Sequence, residues 1–82
     1  LRAQIGVINF PIIQEMVDGI FTLSEQEIID SMRMIWERLK IVVEPSSAIV
    51  LAAVMKNIRL FKNKKIGLIL SGGNVDLDDL PW

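Results

Sequence analysis

An apolar segment that runs into a glycine turn places the strongest constraint on how this chain can fold. Residues 66–70 are all apolar or glycine, and they lead directly into Ser71-Gly72-Gly73-Asn74. A continuous apolar run of this length is typical of a strand buried on both faces of a parallel sheet. Ligands of such sheets bind beyond the carboxyl ends of the strands, where Ser71 would lie. The pattern predicts an α/β fold with a ligand pocket at this turn, because two glycines let the backbone approach a ligand closely.

The N-terminal part of the chain predicts a short helix and then a short strand. Pro11 suits the first turn of a helix that runs to about Val17, and Asn9 is its expected cap. Asp18-Gly19 would end this helix. Residues 20–23 are a strand candidate.

A capping box opens the second predicted helix. Ser24 and Glu27 have the spacing at which each side chain bonds the backbone amide of the other residue. The apolar residues that follow share one helical face: Ile28, Met32, Ile35, Trp36 and Leu39. The opposite face is charged and is expected to be solvated: Glu25, Asp30, Arg33, Glu37 and Lys40.

A third helix is predicted after Pro45, which suits a first helical position. From Ser46 to about Asn57 this helix is apolar on all sides, so neighbours should bury it all round. Residues 76–80 are expected to form a short helical turn. Alternating helices and strands favour the α/β class, but too few strands are present for a whole doubly wound sheet.

Composition excludes several classes of function. The 82 residues carry a net charge of −1, with 6% aromatic residues, and these values do not favour nucleic-acid binding or an anionic membrane surface. Without cysteine or histidine, the chain has no disulfide, thiolate or imidazole chemistry and no metal site built on those ligands. The apolar stretch within residues 42–55 is too short to span a membrane.

A content of 51% hydrophobic residues is high for so small a body, and the N-terminus has neither Met nor a signal-peptide pattern. Both features favour a piece of a larger core over a tight oligomer.

The residues alone leave two interpretations open at each candidate site. The turn at Ser71 is either a simple strand-ending turn or a polar contact to a neutral ring edge. A phosphate cradle is disfavoured because no P-loop lysine follows and nearby acids would repel phosphate. Glu44 is either a solvated carboxylate at a helix N-terminus or a partly buried group of an active site. The acids at 76, 78 and 79 lack the spacing of a Ca²⁺ loop, so no metal site is predicted.

Several motifs resemble the serine racemase and serine/threonine dehydratase family of fold type II pyridoxal-phosphate enzymes. The two main ones are Glu44-Pro45-Ser46-Ser47-Ala48 and Ser71-Gly72-Gly73-Asn74-Val75-Asp76. Residues 10–13, 17–18 and 22–28 are also similar to that family, and the ending at 78–82 resembles bacterial members, including hydroxyaspartate dehydratases. The resemblance implies that residues 1–82 form the C-terminal segment of the large, cofactor-binding domain, with helices packed on a parallel sheet that is incomplete in this chain.

The resemblance also implies roles for individual residues. The serine matching Ser71 bonds the pyridine nitrogen of pyridoxal 5'-phosphate, with Gly72 beside it, and the glutamate matching Glu44 lies by the ring. Lys40 and Asn74 match positions that border a nucleotide effector site in the animal branch. The family's Schiff-base lysine, phosphate loop and Mg²⁺ ligands all lie upstream of Leu1, so no catalytic residue is expected in this chain, which should be inactive alone. The implied intact enzyme is a cytoplasmic homodimer.

The implied reaction is loss of water and then ammonia from L-serine, L-threonine or 3-hydroxyaspartate, which gives a 2-oxo acid. Serine racemase is the alternative, and β-replacement of the cysteine-synthase kind is a weaker one. A hypothesis from another class is a non-catalytic α/β interaction module that dimerises through its apolar surface.

Overall fold

The computed structural model describes residues 4–82, and the regular elements within them are all helices. Helix α1 spans Asn9–Met16, α2 spans Glu25–Leu39 and α3 spans Pro45–Lys56. A short 3₁₀ helix, Ile58–Phe61, follows α3. Helices α2 and α3 pack against each other, and this pair carries the core.

The prediction that Asn9 caps α1 is wrong. The helix already includes Asn9, and Ile8 occupies the N-cap position without any side-chain hydrogen bond. The helical turn starts earlier than expected because the Phe10 amide donates to the carbonyl of Gly6 at 3.0 Å. No residue of α1 is buried within the described part of the chain.

Helix α2 begins as the sequence predicts. The Glu27 amide donates to the Ser24 hydroxyl at 3.2 Å, and the Ser24 amide donates to the Glu27 carboxylate at 3.0 Å. The capping box is therefore confirmed. Lys40 ends the helix in the left-handed conformation, with φ 58°, and its amide donates to the carbonyl of Trp36 at 3.2 Å.

The core lies where α2 faces α3. Its buried members are Met32, Ile35, Val43 and Ala48, and Trp36, Leu51 and Val75 pack against them. Small residues of α3 allow the two helices to approach closely, since Ser47, Ala48 and Ala52 are the buried residues of that helix. The expectation that α3 is buried all round is not met within this chain, because Met55 remains 48% exposed.

The predicted strands do not form within residues 4–82. Residues 20–23 and 66–70 lie outside the helices, and no strand ladder joins them to each other. A strand needs a neighbour to pair its N–H and C=O groups, and these segments do not supply one another with a ladder. The parallel sheet therefore stays a prediction. Residues 76–79 form a turn rather than helix, with the Asp79 amide donating to the carbonyl of Asp76 at 3.1 Å.

The described chain is expanded and exposes much apolar surface. Its radius of gyration is 14.3 Å, whereas a compact domain of this length has about 12 Å. Large apolar side chains are exposed from the N-terminal part to the final segment, and Val7, Ile8, Ile20 and Ile69 are the most exposed, at 91%, 79%, 76% and 80%. This surface agrees with the predicted surplus of apolar residues. Among residues 4–82, no helix combines the length and apolar character needed to cross a membrane.

Candidate functional site

One peptide group joins helix α2 to the glycine turn. The carbonyl of Val43 accepts a hydrogen bond from the indole Nε1 of Trp36 at 2.9 Å. The amide of the same peptide, on Glu44, donates to the carbonyl of Gly72 at 3.1 Å. The loop before α3 is thus fixed between the side chain of a helix residue and the backbone of the turn.

The two glycines of the turn lie in close contact with residues 42–44. No glycine among the described residues has a positive φ, so left-handed backbone is not the reason for them. A Cβ added to Gly72 would lie 3.3 Å from the carboxyl carbon of Glu44 and closer still to its Oε1. A Cβ added to Gly73 would collide with the carbonyl oxygen of Val42. The turn can run beside residues 42–44 only because both positions lack side chains.

The structure brings part of the predicted site together. Glu44 is half-buried and adjoins Gly72, while Ser71 and Asn74 are exposed. The contacts pair residue 44 with residue 72 and residue 42 with residue 73. Lys40 and Asn74 are both exposed, and their effector role stays a prediction.

A second anchor of the turn lies just after it and was not foreseen from the sequence. Val75 packs on the core, and Trp82 contacts Trp36 edge to face with ring centroids 5.2 Å apart at 88°. The guanidinium of Arg33 lies 5.9 Å from the centre of the Trp82 ring. The sequence carries little signal for these contacts, because residues so far apart in the chain show no common periodicity.

A cavity lies away from the predicted site. It has a volume of about 610 Å³ and opens between the starts of α2 and α3. Its lining contains none of the predicted site residues; it consists of Phe21, Thr22, Leu23, Glu25, Ile28, Pro45, Ser46 and Ile49. Within residues 4–82, no three acidic side chains are placed to hold a metal ion together.

The clearest electrostatic effect also lies at the start of α2. The Ser24 backbone amide and then the Ser24 hydroxyl hold the pKa of Glu27 below its ordinary value, partial burial opposes them, and Lys56 adds to the lowering. The ammonium of Lys56 is 3.5 Å from Oε1 of Glu27 and donates to the carbonyl of Thr22 at 3.2 Å. These contacts tie the end of α3 to the start of α2 and take no part in the turn.

At the turn itself, the exposed groups are suited to a neutral polar ligand edge. A serine hydroxyl can donate or accept one hydrogen bond, and the Asn74 amide can do both. The bare glycine backbone beside Ser71 lets a flat group come close without meeting a Cβ. The half-buried carboxylate of Glu44 borders this surface.

The chain is similar to known proteins over most of its length. Residues 1–72 match the family model described as "Pyridoxal-phosphate dependent enzyme". The chain is 51% identical over 70 residues, or 85% of its length, to a beta-hydroxyaspartate dehydratase of Paracoccus denitrificans. It is 48% identical over 98% of its length to a serine racemase of Dictyostelium discoideum and 40% identical over its whole length to one of Rattus norvegicus.

A solved structure extends the likeness to the fold. The crystal structure of the serine racemase from Dictyostelium discoideum superposes with a TM-score of 0.79 at 51% identity, over 89% of this chain and 24% of that one. The chain spans about a quarter of the length of these relatives, 22% of the dehydratase and 25% of the Dictyostelium racemase.

Proposed function

Because the chain belongs to the family of pyridoxal-phosphate dependent enzymes, we propose that it is the C-terminal part of the cofactor domain of an enzyme that acts on a β-hydroxy amino acid. The observation that carries this function is the junction of the two motifs, in which the amide of Glu44 bonds the carbonyl of Gly72 next to Ser71. The same geometry leaves the Ser71 hydroxyl exposed at the edge of the turn.

The residues of the turn fit the pyridine ring of pyridoxal 5'-phosphate. The Glu44 carboxylate packs directly against the backbone of Gly72, so it closes that side of the turn, and the exposed residue next to this contact is Ser71. Ser71 would hold the ring nitrogen, Gly72 would allow the ring edge to approach, and Glu44 would border the ring. When bound, the cofactor supplies the electron sink that makes loss of the substrate Cα proton possible.

Ser71 would set how strongly the ring withdraws electrons. A neutral hydroxyl cannot keep a pyridine nitrogen protonated as a carboxylate can, so the sink is weaker. A weaker sink suits prompt loss of a β-hydroxyl group or return of a proton to Cα, and it disfavours transamination. Ser71 therefore supports dehydration and racemisation alike. The group that moves the Cα proton is expected outside this chain, since the lysines here lie at helix ends or in the basic stretch 56–65.

Dehydration is the reaction we favour. The substrate would be L-serine, L-threonine or 3-hydroxyaspartate, and the net products would be a 2-oxo acid and ammonia. The water that is lost on elimination is taken up again when the resulting imine is hydrolysed. A relative named beta-hydroxyaspartate dehydratase and a final segment similar to bacterial hydroxyaspartate dehydratases support this choice. Racemisation of serine is the second candidate, because relatives that cover nearly the whole chain are named serine racemase.

The whole protein would be a homodimer, with Mg²⁺ ligands in another part of the polypeptide. Lys40 and Asn74 would border a nucleotide effector site near the subunit interface. Both residues are exposed, and this supports the proposal.

The test uses the full-length protein that carries this chain, as wild type, Ser71→Ala and Ser71→Asp. We expect a visible absorption band of bound cofactor in the wild type and 2-oxo acid release from one of the three substrates. Both variants should reduce turnover at least tenfold, the loss expected for a contact worth about 1.4 kcal/mol in the transition state. Release of 2-oxo acid without D-serine formation would identify a dehydratase, and D-serine formation without it would identify a racemase.

Ser24→Ala is the matched control. It removes a serine hydroxyl from the cap of α2, which lies apart from the turn, so it should lower stability and leave cofactor binding intact. If the wild type binds no cofactor, the proposed function is wrong. In that case the interaction module would be preferred, and the 82-residue chain alone should then melt cooperatively as a discrete oligomer.

A further inference from the structure

We propose that Trp36 is a positioning residue for the cofactor edge, an assignment that rests on the proposed function. Its indole N–H holds the Val43–Glu44 peptide, and that peptide holds the carbonyl of Gly72 beside Ser71. Trp36 would thus act on the cofactor through the backbone without touching it.

The peptide group between Val43 and Glu44 is rigid. Its carbonyl and amide are coplanar and point in opposite directions, so the orientation of one sets that of the other. At this peptide the carbonyl accepts from Trp36 at 2.9 Å and the amide donates to Gly72 at 3.1 Å. Loss of the indole donor would free the peptide to rotate, and the Gly72 carbonyl would lose its aligned partner.

The environment of the peptide offers little to replace the indole. Val43 is 2% exposed, so its carbonyl lies at a position where a lost hydrogen bond is costly to leave unmade. Glu44 is the N-cap of α3, yet its side chain makes no capping hydrogen bond. Within residues 4–82, no side chain other than that of Trp36 donates a hydrogen bond to residues 42–44.

Trp36 is itself held from the other side. Trp82 packs its ring edge to face against it at 5.2 Å, and Arg33 lies over Trp82. Arg33 is fixed in turn by Glu37, with Nε 2.8 Å from Oε1. The edge-to-face arrangement is one of the favoured geometries of aromatic pairs, so it stabilises this orientation of the Trp36 ring. The indole N–H therefore points at one carbonyl from a defined position.

The test compares pyridoxal-phosphate affinity in full-length wild type, Trp36→Phe and Phe21→Leu. Phenylalanine keeps the aromatic ring at 36 and removes the N–H. Phe21→Leu is the control. It removes the edge-to-face contact between Phe21 and Phe61, whose ring centroids are 6.2 Å apart, and neither side chain forms a hydrogen bond with the turn. Titration of the apoprotein should give a dissociation constant about five- to tenfold higher for Trp36→Phe, as for one lost hydrogen bond, and an unchanged value for Phe21→Leu.

A double-mutant cycle separates positioning from plain stability. If Trp36 acts through the turn, its effect on cofactor affinity should shrink when Ser71 is already alanine, because the hydroxyl that it positions is gone. If the effects of the two substitutions on cofactor affinity are additive, or if Trp36→Phe binds the cofactor as tightly as wild type, the role of Trp36 is wrong and the proposed function still stands. A wild type that binds no cofactor would overturn the proposed function and the inference with it. If Trp36→Phe does not fold, benzothienylalanine at position 36 removes the N–H at constant shape, and the same criteria apply.

Discussion

The backbone amide of Glu44 donates a hydrogen bond to the carbonyl of Gly72 at 3.1 Å. This contact joins the two motifs on which the family resemblance rests, although helix α3 and the basic stretch separate them in the chain. It places the half-buried residue Glu44 beside a glycine at which an added Cβ would displace the carboxylate. The candidate site is therefore built from two loops, each fixed to the α2–α3 core at one end.

We expect alanine at the two glycines of the turn to have different effects. In Gly73→Ala the new Cβ meets the backbone carbonyl of Val42, so the backbone itself must shift. Overpacking of this kind costs about 1–3 kcal/mol, and both the melting temperature and cofactor affinity should fall. In Gly72→Ala the new Cβ meets only the flexible carboxylate of Glu44, so affinity should fall more than stability.

Gly19→Ala is the matched control for that pair. Nothing lies within 4 Å of its added Cβ, and its φ is not positive, so stability should be unchanged or slightly higher. Calorimetric melting and cofactor titration of the full-length protein check all three variants. Equal losses of stability for Gly72→Ala and Gly73→Ala would contradict the assigned contacts.

The cap of α2 predicts a simple loss of stability. Ser24→Ala removes the acceptor of the Glu27 amide at 3.2 Å, and such a substitution costs about 1 kcal/mol. A lower melting temperature with unchanged cofactor affinity is expected. Ser24→Thr, which keeps the hydroxyl, should recover most of the loss. No change for Ser24→Ala would mean that the cap is not formed in the intact protein.

The charge of Glu27 predicts a pH dependence. Hydrogen bonds from Ser24 lower the pKa of Glu27 in the folded state. A lowered folded-state pKa stabilises the fold above the ordinary pKa, and this contribution is lost as the pH falls through the folded-state value. Wild type should therefore melt higher than Glu27→Gln near neutral pH, and the difference should vanish in acid. Glu25→Gln serves as the control on the same helical turn, and a difference that persists in acid would contradict the mechanism.

Replacing Ser47 by alanine should change the stability in the opposite direction from Ser24→Ala. Its side chain is 0% exposed, and its hydroxyl has no hydrogen-bond partner within residues 4–82. A buried polar group without a partner costs free energy. Ser47→Ala should therefore leave the free energy of unfolding unchanged or raise it by up to about 1 kcal/mol, and the melting temperature should follow. Ser46→Ala, next along the helix and less buried, should have no effect. A clear loss for Ser47→Ala would reveal a partner for this hydroxyl in the intact protein.

Local signals in the sequence predicted the helices well. The Ser24–Glu27 box and the start of α3 at Pro45 are confirmed, because caps and proline act through neighbouring backbone groups. Met32 and Ile35 are buried as their helical spacing predicts. Leu39 lies on the same face but is 59% exposed, since the helix ends at Lys40 and no element of the described chain covers it.

Local signals in the sequence did not determine whether the predicted strands form. Residues 66–70 have the composition of a strand buried on both faces, yet they form no ladder among residues 4–82. A strand is stabilised by partners across the sheet, which its own sequence cannot specify. The aromatic anchor at Trp82 was missed for the same reason, since its partner Trp36 lies far away in the chain.

By itself, then, the sequence determined where α2 and α3 begin, which face of α2 enters the core, and that a glycine turn follows an apolar segment. Each of these depends on interactions between residues within a few positions of one another. Only the tertiary structure decided that Glu44 adjoins Gly72 and that Trp36 holds the peptide between Val43 and Glu44. Those contacts depend on how α2 and α3 pack, and packing brings together residues whose separation in the chain has no local signature.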